Sequence, residues 1–523
     1  MNSNHTPVDP NLTAGSNKSY WIDSIQTGTR CTQLSENADA DVVIIGGGIA
    51  GMSIAYCLSR SGKKIILVDD GYLGSGETGR TTAHLVAALD DRYYDLQDLF
   101  GESDLKLIAA SHNEAIDFIE STVKNEKIDC GFRRLDGYLF LHPTDKKQSL
   151  EKEFEAAKKA GLDVELINHV YEIPHEKGIS LRYRNQAQFH PLHYLIGLKT
   201  AIQRMGGKIY TETHAEDINH EGIVTREGFT VKADHIVVAT NTPVNNLVTM
   251  HLKQYAYRTY VIGKLIPKGM LQYALWWDTG DQEKRFAPYH YVRLQEYDEQ
   301  HDLLICGGED HPVGNTREDG VPEEHRYSLL EAWSKKRFPD GEVVYRWSGQ
   351  VMEPMDSLAF IGRNPWDKDN MYIVTGDSGN GMTHGTISGM LIADLINEKD
   401  NKYEHIYKPS RLKIKRTGTM VKEIASSVIS VLKDMPAEAT REISQLENGE
   451  GKIIHINDEK CAVSRDNEGR LHILNPHCTH LRAIVAWNKD EQTWDCPWHG
   501  SRFDCRGKVL NGPANIDMKK SEE

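Results

Sequence analysis

The sequence predicts an α/β unit followed by a small all-β domain, and three observations predict it. Over residues 41–69 a fully apolar strand pattern runs into spaced glycines, a helix and a second strand ending in an acid. Segments 131–190 and 246–345 are strand-rich and dense in Tyr, Trp, Arg and His. Near the C-terminus, short apolar strands flank two Cys/His pairs. At 523 residues the chain exceeds one ordinary core, and roughly three lobes are expected.

Hydrophobic residues make up 39% of the chain and charged residues 26%, as in globular proteins. The 76 acidic residues outnumber the 61 basic ones, giving a net charge of −15 that repels phosphate backbones and argues against nucleic acid as a partner. No run approaches the roughly 18 apolar residues of a membrane span. The polar N-terminus lacks a basic stretch followed by an apolar one, so no secretory signal is expected. The glycosylation-like tripeptides at Asn4, Asn11 and Asn17 therefore read as chance. Eight cysteines are too sparse for a disulfide framework and suit the cytoplasm, where paired cysteines more often hold metal.

The run 42–45 reads as a strand buried on both faces, typical of a parallel sheet. Gly46, Gly48 and Gly51 follow at GxGxxG spacing, and an apolar-periodic helix continues to about Arg60. Gly46 permits the tight turn, Gly48 lets a pyrophosphate approach the backbone, and Gly51 lets helix and strand pack closely. The helix N-terminus offers N–H groups and partial positive charge to phosphates. Strand 65–68 ends at Asp69, eighteen residues beyond Gly51, where a carboxylate can accept both ribose hydroxyls. A glycine-rich turn without a ligand is the alternative, disfavoured because strand, glycines, helix, strand and acid occur in order.

Segment 74–84, GSGETGRTTAH, resembles the second flavin-contacting segment of the D-amino-acid oxidase and glycine oxidase superfamily. Segment 233–241, ADHIVVATN, is similar to its strand closing over FAD, and 376–385, GDSGNGMTHG, to its C-terminal flavin loop, here leading into a helix over 386–396. The resemblance covers about 36–410 and implies a Rossmann-like FAD-binding domain with an interleaved, mainly β substrate lobe. It places Gly76, Thr78, Gly79, Arg80, Thr81, Thr82, Ala239, Thr240, Gly376, Gly379, Gly381, Met382 and Thr383 beside non-covalent FAD. The covalent linking cysteine of the sarcosine oxidase branch has no counterpart around 352–362. No second strand–GxGxxG–helix unit appears, which argues against a separate NAD(P)H domain. In the substrate lobe, Arg258, Tyr260, Tyr289, His290, Tyr291 and Arg293 are the polar candidates. An arginine fork, Arg258 first, suits a substrate carboxylate, while structural ion pairs remain an equal alternative for each.

Cys478-x-His480 and Cys496-x-x-His499 are separated by fifteen residues. A zinc ribbon would ordinarily pair its ligands as Cys-x-x-Cys. The two loops resemble the Rieske motif, which implies a [2Fe–2S] cluster with both cysteines on one iron and both histidines on the other. Ala483 and Trp498 stand where the respiratory type has its extra disulfide, and Phe503 replaces a tyrosine that bonds cluster sulfur. Ser501 is retained. Fewer hydrogen bonds to sulfur place the expected potential in the lower half of the range of about −150 to +300 mV. In the resembled type the histidines lie near the surface, so His480 and His499 are expected to face outward. Segments 452–456, 461–464 and 471–474 read as short strands of this domain.

The expected organisation is an extension (1–35) and an oxidoreductase unit (36–406). Within it, 36–130, 191–245 and 346–406 bind FAD, and 131–190 and 246–345 form the substrate lobe. A linker (407–445) and the Rieske domain (446–519) follow. In the linker, 420–435 reads as an amphipathic helix after basic residues. It is expected to pack on the flavin lobe, with a membrane surface as the alternative. A flavin handles two electrons and the cluster one. The chain is thus expected to dehydrogenate a small-molecule amine or amino acid and pass electrons singly to an external carrier. The alternatives are a reductase fed through the cluster and a non-catalytic electron-transfer protein. A Rieske oxygenase would need a large iron domain after the cluster, yet only 24 residues follow His499.

Overall fold

The computed structural model describes residues 15, 17–25, 28–170, 173, 178–244, 250, 253–284, 287–313, 321, 323–365, 367–413, 443, 445–456 and 459–520. Five strands form a parallel sheet in the order Lys208–Tyr210, Ile65–Val68, Ala38–Ile45, Thr230–Val238 and Met371–Thr375, with Phe360–Arg363 antiparallel beyond the last. The unbroken apolar runs arise because alternate side chains enter two different cores. Val42, Ile44, Ile65 and Leu67 join one, and Val43, Ile45, Ile66 and Val68 the other.

Helices Ile49–Arg60 and Gly381–Ile396 cross at glycines. A Cβ on Gly385 would come within 2.7 Å of Ile49, and one on Gly389 within 2.8 Å of Ser53. The second helix begins at Gly381, five residues before the expected start, because its glycines are contact points of this crossing rather than a turn. The sheet order reverses between Ala38–Ile45 and Thr230–Val238, a switch point where ligands bind at strand carboxyl ends.

A second sheet of nine strands runs Glu342–Pro354, Gln254–Pro267, His301–Pro312, Tyr291–Glu296, Leu275–Asp278, Arg133–Phe140, Ser180–Gln188 and His84–Leu85, with Val164–Ile167 beside Ser180–Gln188. Glu342–Pro354 is one continuous strand of this sheet, so it runs across the boundary expected at 346. The C-terminal region holds two antiparallel sheets. Gly451–Ile456, Glu459–Arg465 and Leu471–Leu474 form one, and Ala486–Asn488, Thr493–Asp495, Arg502–Asp504 and Val509–Asn511 the other. The helix expected over 420–435 lies outside the described residues. Among those described, no helix is long and apolar enough to cross a membrane.

Candidate functional site

At the carboxyl ends of the parallel strands, between the two large sheets, lies a cavity of about 340 Å³. Gly46 sits at φ +108°, and a Cβ there would come within 2.4 Å of the Ala239 carbonyl across the switch point. A Cβ on Gly51 would lie 1.9 Å from the Gly46 carbonyl. Both positions therefore exclude any other residue. Helix Ile49–Arg60 starts at Gly48, with the Ile49 N–H donated to the Thr78 hydroxyl (3.0 Å), and helix Gly381–Ile396 starts at Asn380 without a cap from its own side chain. Both N-termini border the cavity and offer it backbone donors.

Of the residues the sequence assigns to the cofactor, Gly46, Gly48, Asp69, Gly76, Thr78, Arg80, Thr81, Thr82, Ala239, Thr240, Gly379, Gly381 and Met382 line this cavity. Gly51, Gly79, Gly376 and Thr383 lie behind the wall. Gly79 packs against Ile22 and the Gly74 carbonyl, and Thr383 bonds His112 (2.8 Å). Asp69 accepts N–H bonds from Gly47 (2.5 Å) and Gly71 (2.9 Å), and burial pushes its carboxyl up to about 6. His214 Nε2, Asn241 Nδ2 and His384 Nε2 are buried without a partner in the chain, on residues that line the cavity. Orphaned polar atoms, a glycine cradle and two helix starts are the donor set a dinucleotide with a polar ring requires.

The four substrate candidates need correction, because none lines the cavity. Arg258 is 1% exposed and directs Nη2 to Asp495 (2.7 Å) and Nη1 to the Ser348 hydroxyl (2.9 Å). Tyr260 is buried against Tyr327 and bonds His311 (3.1 Å). His290 lies between Asp278 (3.0 Å) and Glu309 (3.3 Å); despite burial, these acids raise it to about 9. Arg293 donates to the carbonyls of Thr82, Ala83 and Phe189 beneath the flavin segment. Of the six polar candidates, Tyr289 and Tyr291 do line the cavity, and Tyr257, Thr259, Trp277 and Asp310 complete the wall. Side chains alternate along a strand, so Tyr257 and Thr259 face the cavity while Arg258 and Tyr260 face away. The glycine pair 307–308 was the available signal: a Cβ on Gly307 would strike the Tyr291 ring at 2.1 Å, and one on Gly308 the Tyr289 carbonyl at 2.7 Å.

The Cys/His loops share one hydrogen-bond pattern. Cys478 N–H donates to Ala483 O (2.8 Å) and Arg482 N–H to Cys478 O (3.0 Å); Cys496 N–H donates to Ser501 O (2.7 Å) and Gly500 N–H to Cys496 O (3.1 Å). The fifth residue of each turn is left-handed, Arg482 at φ 64° and Gly500 at φ 75°. The turns bring the two thiols together and set the His480 and His499 rings 5.1 Å apart. Bonded by the Cys496 thiol and, against the cost of burial, by His480 N–H, the Ser501 hydroxyl and Leu481 N–H, the Cys478 thiol falls to about 7. Two thiol donors paired on one side and two imidazoles on the other match a [2Fe–2S] cluster of mixed ligation. His499 departs from the outward placement expected of it. It is 9% exposed, and Gly500 packs on Ala256 and Gln350 of the large unit.

That contact belongs to a buried charge network absent from the sequence reading. Arg80, a supposed cofactor residue, meets Glu491 (3.1 Å) and donates to Ser348 O, Gly15 O and Asn17 O (2.9 Å each). Arg502 faces Asp495 (3.4 Å) and Glu77 (3.9 Å). Burial raises the carboxyls of Glu491 and Asp495, but Arg80, Arg502 and Arg258 around Glu491, and Arg258 and Arg502 around Asp495, outweigh it and hold both below the usual range. The N-terminal extension joins in: Asn17 N–H donates to Glu491 (3.1 Å) and Trp21 Nε1 to Thr81 O (2.6 Å).

These features define a flavoprotein unit fused to an iron–sulfur domain. The chain belongs to the family described as FAD dependent oxidoreductase, whose match spans residues 41–395, and a Rieske [2Fe-2S] domain matches 438–521. Its cofactors are accordingly FAD and a [2Fe–2S] cluster. A full-length relative, the putative Rieske 2Fe-2S iron-sulfur protein YhfW of Bacillus subtilis (strain 168), is 32% identical over 96% of this chain and 97% of its own. Gamma-glutamylputrescine oxidoreductase of Escherichia coli (strain K12) is 24% identical over 74% of this chain and 90% of its own. Among solved structures, glycine oxidase from Geobacillus kaustophilus superimposes with a TM-score of 0.58 at 18% identity, covering 72% of this chain and 100% of that one. It bears out the fold the resemblance implied.

Proposed function

We propose that the protein dehydrogenates a small amine or amino acid at the cavity and passes electrons singly through the Rieske domain to an external carrier. When bound, FAD supplies two-electron oxidation of a carbon–nitrogen bond and the [2Fe–2S] cluster one-electron carriage. The observation that carries the proposal is a shared wall. Gln350 lines the cavity, and its Nε2 donates to the carbonyl of Gly500 (3.1 Å), the residue after His499. A second strip does the same: Ala514 borders the cavity and donates its N–H to the Ser501 hydroxyl (3.0 Å), which bonds Cys478.

The residues of the chain hold, orient and exclude. Gly46, Gly48 and the starts of the two helices would receive the phosphates and the ring edge. Segment 509–515 of the C-terminal domain closes over the cavity, where Asn511 donates to Glu77 (3.2 Å) and Asn515 to Glu216 O (3.0 Å). Burial lowers His84 to about 3 and His384 to about 4, so both rings are neutral near pH 7 and can only donate or accept hydrogen bonds. Six cysteines besides the cluster pair, none of them in a disulfide, support a cytoplasmic setting.

Anaerobic mixing of the purified holoprotein with a panel of free and N-methyl amines and amino acids tests the reading. Bleaching of the flavin absorbance followed by a rhombic EPR signal typical of a His-ligated cluster is expected. Reduction of both centres by dithionite alone would reverse the reading, toward a protein that receives electrons through the cluster.

A further inference from the structure

We infer that the substrate end of the cavity recognises an aliphatic amine carrying a second ammonium and no carboxylate, with Asp310 holding that second cation. The inference rests on the dehydrogenase reading and narrows its substrate class.

Four carboxylates border this end: Asp90, Asp310, Glu353 and Asp377. No lysine lines the cavity among the described residues, and its one arginine, Arg80, is committed to Glu491 and three carbonyls. A substrate carboxylate would thus meet four carboxyl groups, all raised by burial, and no free guanidinium. Three of the acids already have partners. Asp90 is bonded by the Tyr289 hydroxyl, Glu353 by the Ser378 hydroxyl (2.9 Å), and Asp377 lies beside Met352 N–H (3.4 Å). Asp310 is different: Thr259 bonds it, yet its Oδ1 is buried with no partner among the described residues.

The surrounding wall suits a cation on a methylene chain. The rings of Tyr289 and Tyr291 lie 5.4 Å apart, and Trp277 and Tyr257 also line the cavity. Aromatic faces beside a buried carboxylate are the chemistry that accepts alkylammonium ions. Burial, and then the nearby Asp90 and Glu309, push Asp310 up to about 7 against the pull of Thr259 and His290, so an ammonium placed beside it would favour its ionised form. The reacting nitrogen must itself be neutral when its carbon gives up hydride, so it cannot be the ion that satisfies Asp310. A second ammonium can.

The test uses holoprotein photoreduced under anaerobic conditions, so that ligands bind without being oxidised, and reads Kd by titration calorimetry. The probes are 1,4-diaminobutane, n-butylamine and sarcosine. The diamine is expected to bind at least tenfold more tightly than butylamine, with sarcosine weakest. Asp310→Asn should erase the diamine's advantage and leave butylamine unchanged. Glu353→Gln, whose acid already has a partner, should change diamine affinity less. Sarcosine binding more tightly than the diamine, or a diamine Kd indifferent to Asp310→Asn in a variant that retains FAD, overturns the inference. Oxidised holoprotein separates the two claims. Tight diamine binding without bleaching removes the dehydrogenase reading and leaves the cation site. Bleaching by amino acids without diamine binding does the reverse.

Discussion

At the junction of the two units, three guanidiniums (Arg80, Arg258, Arg502) face three carboxylates (Glu77, Glu491, Asp495). At the substrate end of the cavity, acids gather around Tyr289 and Tyr291, and among the described residues no lysine lines it and no arginine but Arg80. Both regions bury carboxyl groups, but only the junction pairs each of them with a guanidinium. A closed set of ion pairs fixes geometry, and here it grips residues 495–502, which carry Cys496 and His499. The open set is the one we propose to select a ligand. Stability and recognition separate along that line.

Breaking the closed set is expected to have the largest effect. Arg258→Met removes the nearer of two guanidiniums from buried Asp495, leaving Arg502 at 3.4 Å, and should cost about 3–5 kcal/mol in denaturant unfolding, with loss of cluster absorbance. Adding Asp495→Asn should recover most of that, since the penalty belongs to the under-compensated charge. A double variant as unstable as the single one would show that the contact matters through packing alone.

The open set should respond with the opposite sign. Asp310 has a folded value of about 7 against an ordinary 3.8, so between those values the folded protein holds a proton that the unfolded chain has released. Its contribution to stability therefore falls as pH rises through that window. Ligand-free Asp310→Asn should be more stable than the parent at pH 8 by about 1–3 kcal/mol, and close to it at pH 4. Thermal melts across pH read this directly. The smallest effect is reserved for a pair that is closed but exposed: Lys106→Ala, which removes the contact to Glu102 (2.9 Å), should cost less than about 0.5 kcal/mol.

What could be read from sequence follows the same division. Gly46 and Gly51 announce themselves because no side chain fits where they stand, and the Cys/His loops because iron demands particular donors at short spacing. Strand Ile65–Val68 and helix Ile49–Arg60 were legible from unbroken or periodic apolar runs. The cavity wall was legible only at Tyr289 and Tyr291. In Gln254–Pro267 both faces are buried, so no polar alternation reveals which parity faces the ligand, and Arg258 looked available. The junction was hidden for another reason. Arg80 and Glu491 are 411 residues apart, and an arginine or glutamate in a strand or turn reads as solvated until its partner is known. The strap from Asn17 to Trp21 was hidden likewise, in a polar segment with no periodicity.

The central claim is that the two units act as one body, so that electrons from the cavity reach the cluster within a single chain. Anaerobic stopped-flow mixing with a bleaching substrate, following flavin and cluster absorbance at several protein concentrations, tests it most directly. Transfer within one chain gives a cluster-reduction rate independent of protein concentration. A rate rising in proportion to concentration, or a cluster still oxidised after full bleaching, would contradict it.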